Sequence, residues 1–110
     1  MLKFDENKNI YLTRGDTGTL TLSIKDESDN DYDYSDDTVV FAVKKNFSDT
    51  TPAIQKTFAN GQVELLPSDT KELDFGDYWY DVQLTHDNGG TDEICTVIIP
   101  HTFTIGAEVA

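Results

Sequence analysis

Apolar and polar residues alternate along most of this 110-residue chain. Such alternation puts apolar side chains on one face of a β-strand and polar side chains on the other. The first two alternating runs, at 10–12 and 20–24, are joined by a segment rich in Gly and Asp, and they predict an N-terminal hairpin. Further strands are predicted around residues 39–43, 54–58, 63–65, 78–84, 95–99 and 103–105.

Turn-forming residues separate these strands. Asn60-Gly61 predicts a type I′ turn, in which both central residues have positive φ, and residues 87–90 predict another reversal. Pro67 favours a single helical turn, capped by Ser68 or Asp69. Pro100 is expected to separate the last two strands.

The predicted fold is all-β. Seven to eight short antiparallel strands at regular spacing indicate one Ig-like β-sandwich domain over residues 1–110. Composition agrees, because Thr, Val, Ile and the aromatic residues far outnumber Ala, Leu and Met. Tyr78 has the spacing of the structural corner tyrosine of such domains, so its hydroxyl is expected to bond to backbone within residues 67–73. The alternative is an ordinary strand tyrosine.

The charge narrows the choice of partners. With 8 Lys and Arg against 21 Asp and Glu, the net charge is -13, which repels nucleic acid and anionic membranes. Residues 26–37 are especially acidic and predict a solvated loop. Asp29, Asp31 and Asp33 have the spacing of calcium ligands, but the loop lacks the Gly and Glu of an EF-hand, so we expect no dedicated metal site.

The residues available for catalysis are few. Cys95 lies in an apolar strand and is expected to be an inert, buried side chain. His86 and His101 are the only histidines, too few with one cysteine for a metal centre. We therefore expect no enzyme activity, cofactor or small-molecule substrate. Arg14-Gly15-Asp16 matches an integrin-binding tripeptide, but a turn alone explains it.

No run of apolar residues resembles a signal peptide or is long enough to span a bilayer. Synthesis in the bacterial cytoplasm is therefore expected.

Trp79 is the large aromatic residue that alternation places on the outer face of its strand, opposite Tyr78 and Tyr80. We consider it an interface candidate, together with the outward-facing Val40 and Ala42. Two alternatives stay open for Trp79. Its side chain is covered by the N-terminal Leu2 and Phe4, or it stacks on a sugar ring.

Three segments carry a resemblance to a known group of proteins, namely NIYLTRGDT at 9–17, YDYSDDTVVFAVK at 32–44 and GDYWYDV at 76–82. They resemble small β-sandwich structural proteins of phages and prophages of Gram-positive bacteria, including the N-terminal domain of phage baseplate upper proteins. The resemblance implies a tail or baseplate component of the virion, with other phage structural proteins or further copies of itself as partners. The competing hypothesis is a carbohydrate-binding or adhesive β-sandwich module, with Trp79, Tyr32 and Tyr34 as its aromatic platform.

Overall fold

The structure, a computed structural model, describes residues 2–4, 8–25, 28, 30–87 and 89–108, with side chains described from residue 8 onward. These residues are mostly in β-strands, which confirms the all-β class. In chain order the elements are β1 (Leu2–Phe4), β2 (Ile10–Thr13), β3 (Gly18–Thr21), β4 (Thr38–Lys44), β5 (Ile54–Thr57), β6 (Gln62–Leu65), α1 (Pro67–Thr70), β7 (Gly76–Asp87) and β8 (Asp92–Gly106).

Six strands form one sheet in the order β1-β2-β8-β7-β4-β5, and β3 and β6 form a second, antiparallel sheet. Neighbours in the large sheet are antiparallel except β2 and β8. These two run parallel, with Ile10 opposite Phe103 and Thr13 opposite Gly106. The prediction of antiparallel strands throughout is therefore wrong for this pair, whose residues are far apart in sequence.

The predicted hairpin between the first two alternating runs is also wrong. β2 belongs to the large sheet and β3 to the small one, so residues 14–17 connect two sheets. The Gly15 amide donates a hydrogen bond of 2.9 Å to the hydroxyl of Thr70, whose side chain is fully buried. Alternation predicts which face of a strand is buried, but it does not identify the partner strand.

The apolar faces of both sheets share one core. Near its centre the ring of Phe41 lies 5.5 Å from that of Tyr80 and 6.0 Å from that of Phe103, measured between centroids. Full burial of one such side chain contributes about 1.5–3 kcal/mol to folding. The other buried apolar residues are Ile10, Leu12, Leu20, Val39, Val43, Ile54, Val63, Leu65, Tyr78, Val82, Leu84 and Ile105.

The turn at Asn60-Gly61 has the predicted conformation, with φ of 53° and 76°. The amide and carbonyl groups of Ala59 and Gln62 bond to each other across it, at 2.9 and 3.0 Å. The strands on either side do not continue as a hairpin, because β5 pairs with β4 and β6 pairs with β3. The turn therefore passes the chain from one sheet to the other.

β7 and β8 are the longest strands, with 12 and 15 residues. β8 runs through Pro100, which corrects the prediction that this proline separates two strands. The register between β7 and β8 shifts on both sides of Val82, which marks β-bulges. Proline is tolerated at bulges and edges because no ladder hydrogen bond needs its missing N–H there.

The single helical turn predicted after Pro67 is present as α1. Its N-cap is Leu66, which corrects the assignment to Ser68 or Asp69. Asp69 still takes part, because its carboxylate accepts a 2.7 Å hydrogen bond from the Leu66 amide and lies 3.0 Å from the Lys56 ammonium. In the described part of the chain no helix is long and apolar enough to cross a membrane.

Candidate interaction groove

The outer face of β4 and β7 brings the three interface candidates together. In the antiparallel register, Val40 pairs with Gln83, Ala42 with Asp81, and Lys44 with Trp79. The alternate residues Phe41 and Val43 are buried, so the paired residues point away from the core. The predicted candidates Trp79, Val40 and Ala42 therefore lie on one surface.

This surface is concave. With β5 and the loop after β4 it forms a groove of about 380 Å³, which we call the outer groove. Val40 and Ala42 form its apolar part, and Gln55 and Gln83 supply amide groups. Trp79 is 37% exposed, so its indole is available for contact although part of it is covered.

Phe47 covers part of Trp79, and the sequence pattern did not identify it. Its ring stacks on the Trp79 ring at a centroid distance of 5.1 Å and an interplanar angle of 30°. The loop that carries Phe47 is closed by two hydrogen bonds of 3.1 Å between Asn46 and Asp49. Phe47 itself is 64% exposed. The sequence signal that could have identified it is a large apolar residue between two polar residues in a short loop. The predicted cover by Leu2 and Phe4 concerns side chains outside the described residues.

The chemistry of the outer groove suits binding. Its charged lining residues are Lys44 and Asp81, whose charges are opposite, in a chain with a net charge of -13. The lining residues that the structure describes include no His, Cys or Ser. A nearly neutral surface with the exposed rings of Trp79 and Phe47 and two amides is typical of a protein interface.

Tyr32 and Tyr34 lie elsewhere. They line a second depression of about 500 Å³, together with Leu22, Asp37 and Phe58. Their hydroxyls donate hydrogen bonds within the chain, Tyr34 to the Leu22 carbonyl at 2.6 Å and Tyr32 to the Asp37 carboxylate at 2.5 Å. The structure does not join these tyrosines to Trp79 in a single aromatic platform.

Asp37 is the best-shielded carboxylate in a described ion pair, with 1% of its side chain exposed. It accepts hydrogen bonds from Tyr32 and, at 2.5 Å, from Nδ1 of His86. Both bonds lower the pKa of the Asp37 carboxyl. The bond between Asp37 and His86 also raises the pKa of His86. The pair therefore joins the acidic loop to β7.

Cys95 is exposed, which corrects the expectation of a buried side chain. It pairs with Leu84 near the end of the sheet, and β4 pairs with β7 only as far as Thr85. No cluster of three His, Cys, Asp or Glu residues that could hold a metal is found among the residues searched, which are the described ones. Asp29, part of the calcium hypothesis, lies outside the described residues.

The other candidate residues have structural contacts. The Tyr78 hydroxyl donates a 3.0 Å hydrogen bond to the Asp74 carbonyl, one residue beyond the predicted range. Arg14 lies 3.3 Å from the Glu108 carboxylate and 4.1 Å from the centre of the Phe75 ring. With the Gly15 amide bonded to Thr70, the tripeptide at 14–16 is part of the connection between the sheets.

No family model matches the chain, and comparisons with curated proteins and with solved structures give no match either.

Proposed function

We propose that this chain is a non-enzymatic structural protein of a phage or prophage particle and assembles into its tail or baseplate. The outer groove is the observation that supports an assembly role. It combines stacked Trp79 and Phe47 with the small apolar residues Val40 and Ala42 on a nearly neutral surface. Aromatic side chains of this kind are enriched at the centres of protein interfaces, and charged residues are depleted there.

The assignment to a phage particle rests on the sequence resemblance described above. Under this proposal the protein is made in the bacterial cytoplasm and then built into the virion. Its partners are other phage structural proteins or further copies of itself. The net charge of -13 supports the exclusion of nucleic acid and anionic membranes as partners.

An Ig-like sandwich is the architecture that we propose for this module. Two features support it, namely the shared core of the two sheets and the hydrogen bond from Tyr78 to Asp74. A tyrosine that bonds back to the chain a few residues upstream is typical of the corner of such domains. The division into six and two strands differs from the usual four and three.

The test is a deletion of the gene from a producing phage or prophage, followed by complementation. We expect the deletion to give particles with missing or incomplete tails in electron micrographs. Wild-type protein and the Phe75→Ala variant should restore them, because Phe75 is 46% exposed but does not line the outer groove. Trp79→Ala should fold and fail to restore them. Complete, infectious particles without the protein would contradict the assembly role.

The carbohydrate-binding or adhesive module predicts a different result. Trp79 beside the amides of Gln55 and Gln83 also suits a sugar ring. In that case the particles would assemble in the absence of the protein but adsorb poorly to host cells. Trp79→Ala would then abolish binding to cell-wall glycans.

A further inference from the structure

One edge of β8 is open over most of its length. β2 pairs with β8 only from Phe103 to Gly106, and Asn9 accepts a 3.1 Å hydrogen bond from the Thr102 amide just before this segment. Among the described residues, no strand pairs with the same edge over residues 92–101, although β7 pairs with the other edge. Unpaired backbone groups along such an edge can bind another strand.

The side chains along the open edge lack the usual protection against pairing. Residues 94–99, with the sequence ICTVII, carry no charge, and Ile94 and Ile99 are 70% and 66% exposed. Native edges generally carry lysine, proline or bulges that block a second strand. Here Pro100 and the bulges protect one end, while the register with β7 is regular from Asp92 to Thr96. β5, at the far side of the sheet, carries Lys56.

We propose that the open edge of β8 pairs with the same edge of a second copy of this chain, antiparallel and centred close to Cys95. A second copy can place its own uncharged residues 94–99 along this edge, and the charges next to them select the direction. In a parallel pair the Asp92 and Glu93 carboxylates of the two copies would lie side by side, about 4.8 Å apart across the strands. In the antiparallel pair Glu93 faces Val97 of the other copy, so the two Glu93 residues lie about 13 Å apart along the strands, beyond the Debye length of about 8 Å at physiological salt.

The same geometry brings apolar side chains together. Ile94 of each copy faces Thr96 of the other and lies diagonal to the second Ile94, at the distance of about 7–8 Å at which such side chains still interact. The contact is symmetric, so both open edges are paired in a dimer and no third copy can add to them. A net charge of -13 on each copy opposes association, so salt should strengthen the dimer.

The test uses the whole chain and sedimentation equilibrium at low and high salt. We expect a monomer–dimer equilibrium with a lower dissociation constant at high salt. Ile94→Lys should raise that constant at least about tenfold, because two lysines then meet at the symmetric contact. Leu66→Lys is the control, because Leu66 is 42% exposed, lies outside β8 and changes the net charge equally. A general charge effect would strengthen both dimers, since each lysine makes the chain less acidic.

A distance measurement locates the contact. Cys95 is the chain's single cysteine and is exposed, so a spin label can be attached without mutation. Pulsed electron paramagnetic resonance should give a distance between labels below about 20 Å, because paired strands lie about 4.8 Å apart. A chain that stays monomeric at high concentration and salt would overturn the proposal. So would a dimer weakened by Trp79→Ala but not by Ile94→Lys, which would place the contact at the outer groove and leave the proposed assembly role intact.

Discussion

The two halves of β8 both carry large apolar side chains, but these lie in opposite environments. In the C-terminal half Phe103 and Ile105 are 0% and 1% exposed, because they face the core and β2 and β7 lie on either side. In the N-terminal half Ile94 and Ile99 are 70% and 66% exposed, and β7 is the only described strand that pairs there. Ile94 also lies on the other face of the sheet, because it pairs with Thr85, which lines the outer groove. On the core-facing side Cys95, opposite the buried Leu84, is exposed as well. Burial in this protein therefore depends both on the face that a side chain occupies and on the number of neighbouring strands. The hydrophobicity of a segment does not decide it.

The largest expected effect comes from truncating an apolar residue in each half. Phe103→Ala should lower the free energy of unfolding by about 3–5 kcal/mol, because it leaves a cavity in the core. Ile99→Ala should change it by less than about 0.5 kcal/mol. Urea titrations followed by Trp79 fluorescence measure both. Phe103→Leu serves as a milder variant if Phe103→Ala does not fold. Equal losses in the two halves would show that the N-terminal half is also packed.

The sequence predicted burial well wherever a strand has neighbours on both sides. Alternation correctly placed Tyr78, Tyr80, Val82 and Leu84 in the core, and Asn60-Gly61 correctly predicted a turn with positive φ. These features depend on local geometry. The exposure of Cys95 could not be predicted, because it depends on where β4 stops pairing with β7.

The candidate site was predicted in part for the same reason. Alternation put Val40, Ala42 and Trp79 on outer faces, but only the register between β4 and β7 shows that they are neighbours. Phe47 reaches Trp79 from a loop, where no periodic pattern applies. The open edge of β8 could not be predicted from the sequence, because it depends on how far β2 pairs along β8. These two strands are some ninety residues apart in sequence, and they pair over four residues only.

β7 and β8 form an antiparallel hairpin, whose closed half is the part where β2 also pairs with β8 and whose open half is the remainder. A smaller effect is expected in the closed half, where Tyr78 pairs with Phe103. Tyr78→Phe removes the hydrogen bond to the Asp74 carbonyl and should lower the free energy of unfolding by about 1–2 kcal/mol. Tyr11→Phe is the matched control, because Tyr11 is 48% exposed, and it should cost less than about 0.5 kcal/mol. Chemical denaturation of both variants makes the comparison. An unchanged midpoint for Tyr78→Phe would rule out a stabilising corner.

The smallest effect concerns the open half, where the His86–Asp37 pair joins β7 to the acidic loop beyond the last residue of β7 that pairs with β4. Hydrogen bonding to Asp37 raises the pKa of His86 above its ordinary 6.5, so its contribution to stability is complete below pH 6.5 and is lost as the pH rises through the folded-state pKa. The Asp37 pKa is lowered from 3.8, so its contribution is present above pH 3.8 and is lost as the pH falls through the lower folded-state pKa.

The stabilisation by this pair should therefore be greatest between about pH 4 and 6.5. His86→Asn keeps a hydrogen-bond donor near the position of Nδ1 but removes the charge. Its loss of stability relative to wild type, measured by urea denaturation, should be larger at pH 5 than at pH 9. In the Asp37→Asn background the same histidine substitution should lose this pH dependence, because the two residues act as a pair. A loss that is the same at both pH values would mean that His86 contributes through packing alone, and the open half of the hairpin would then have no charge-dependent link to the acidic loop.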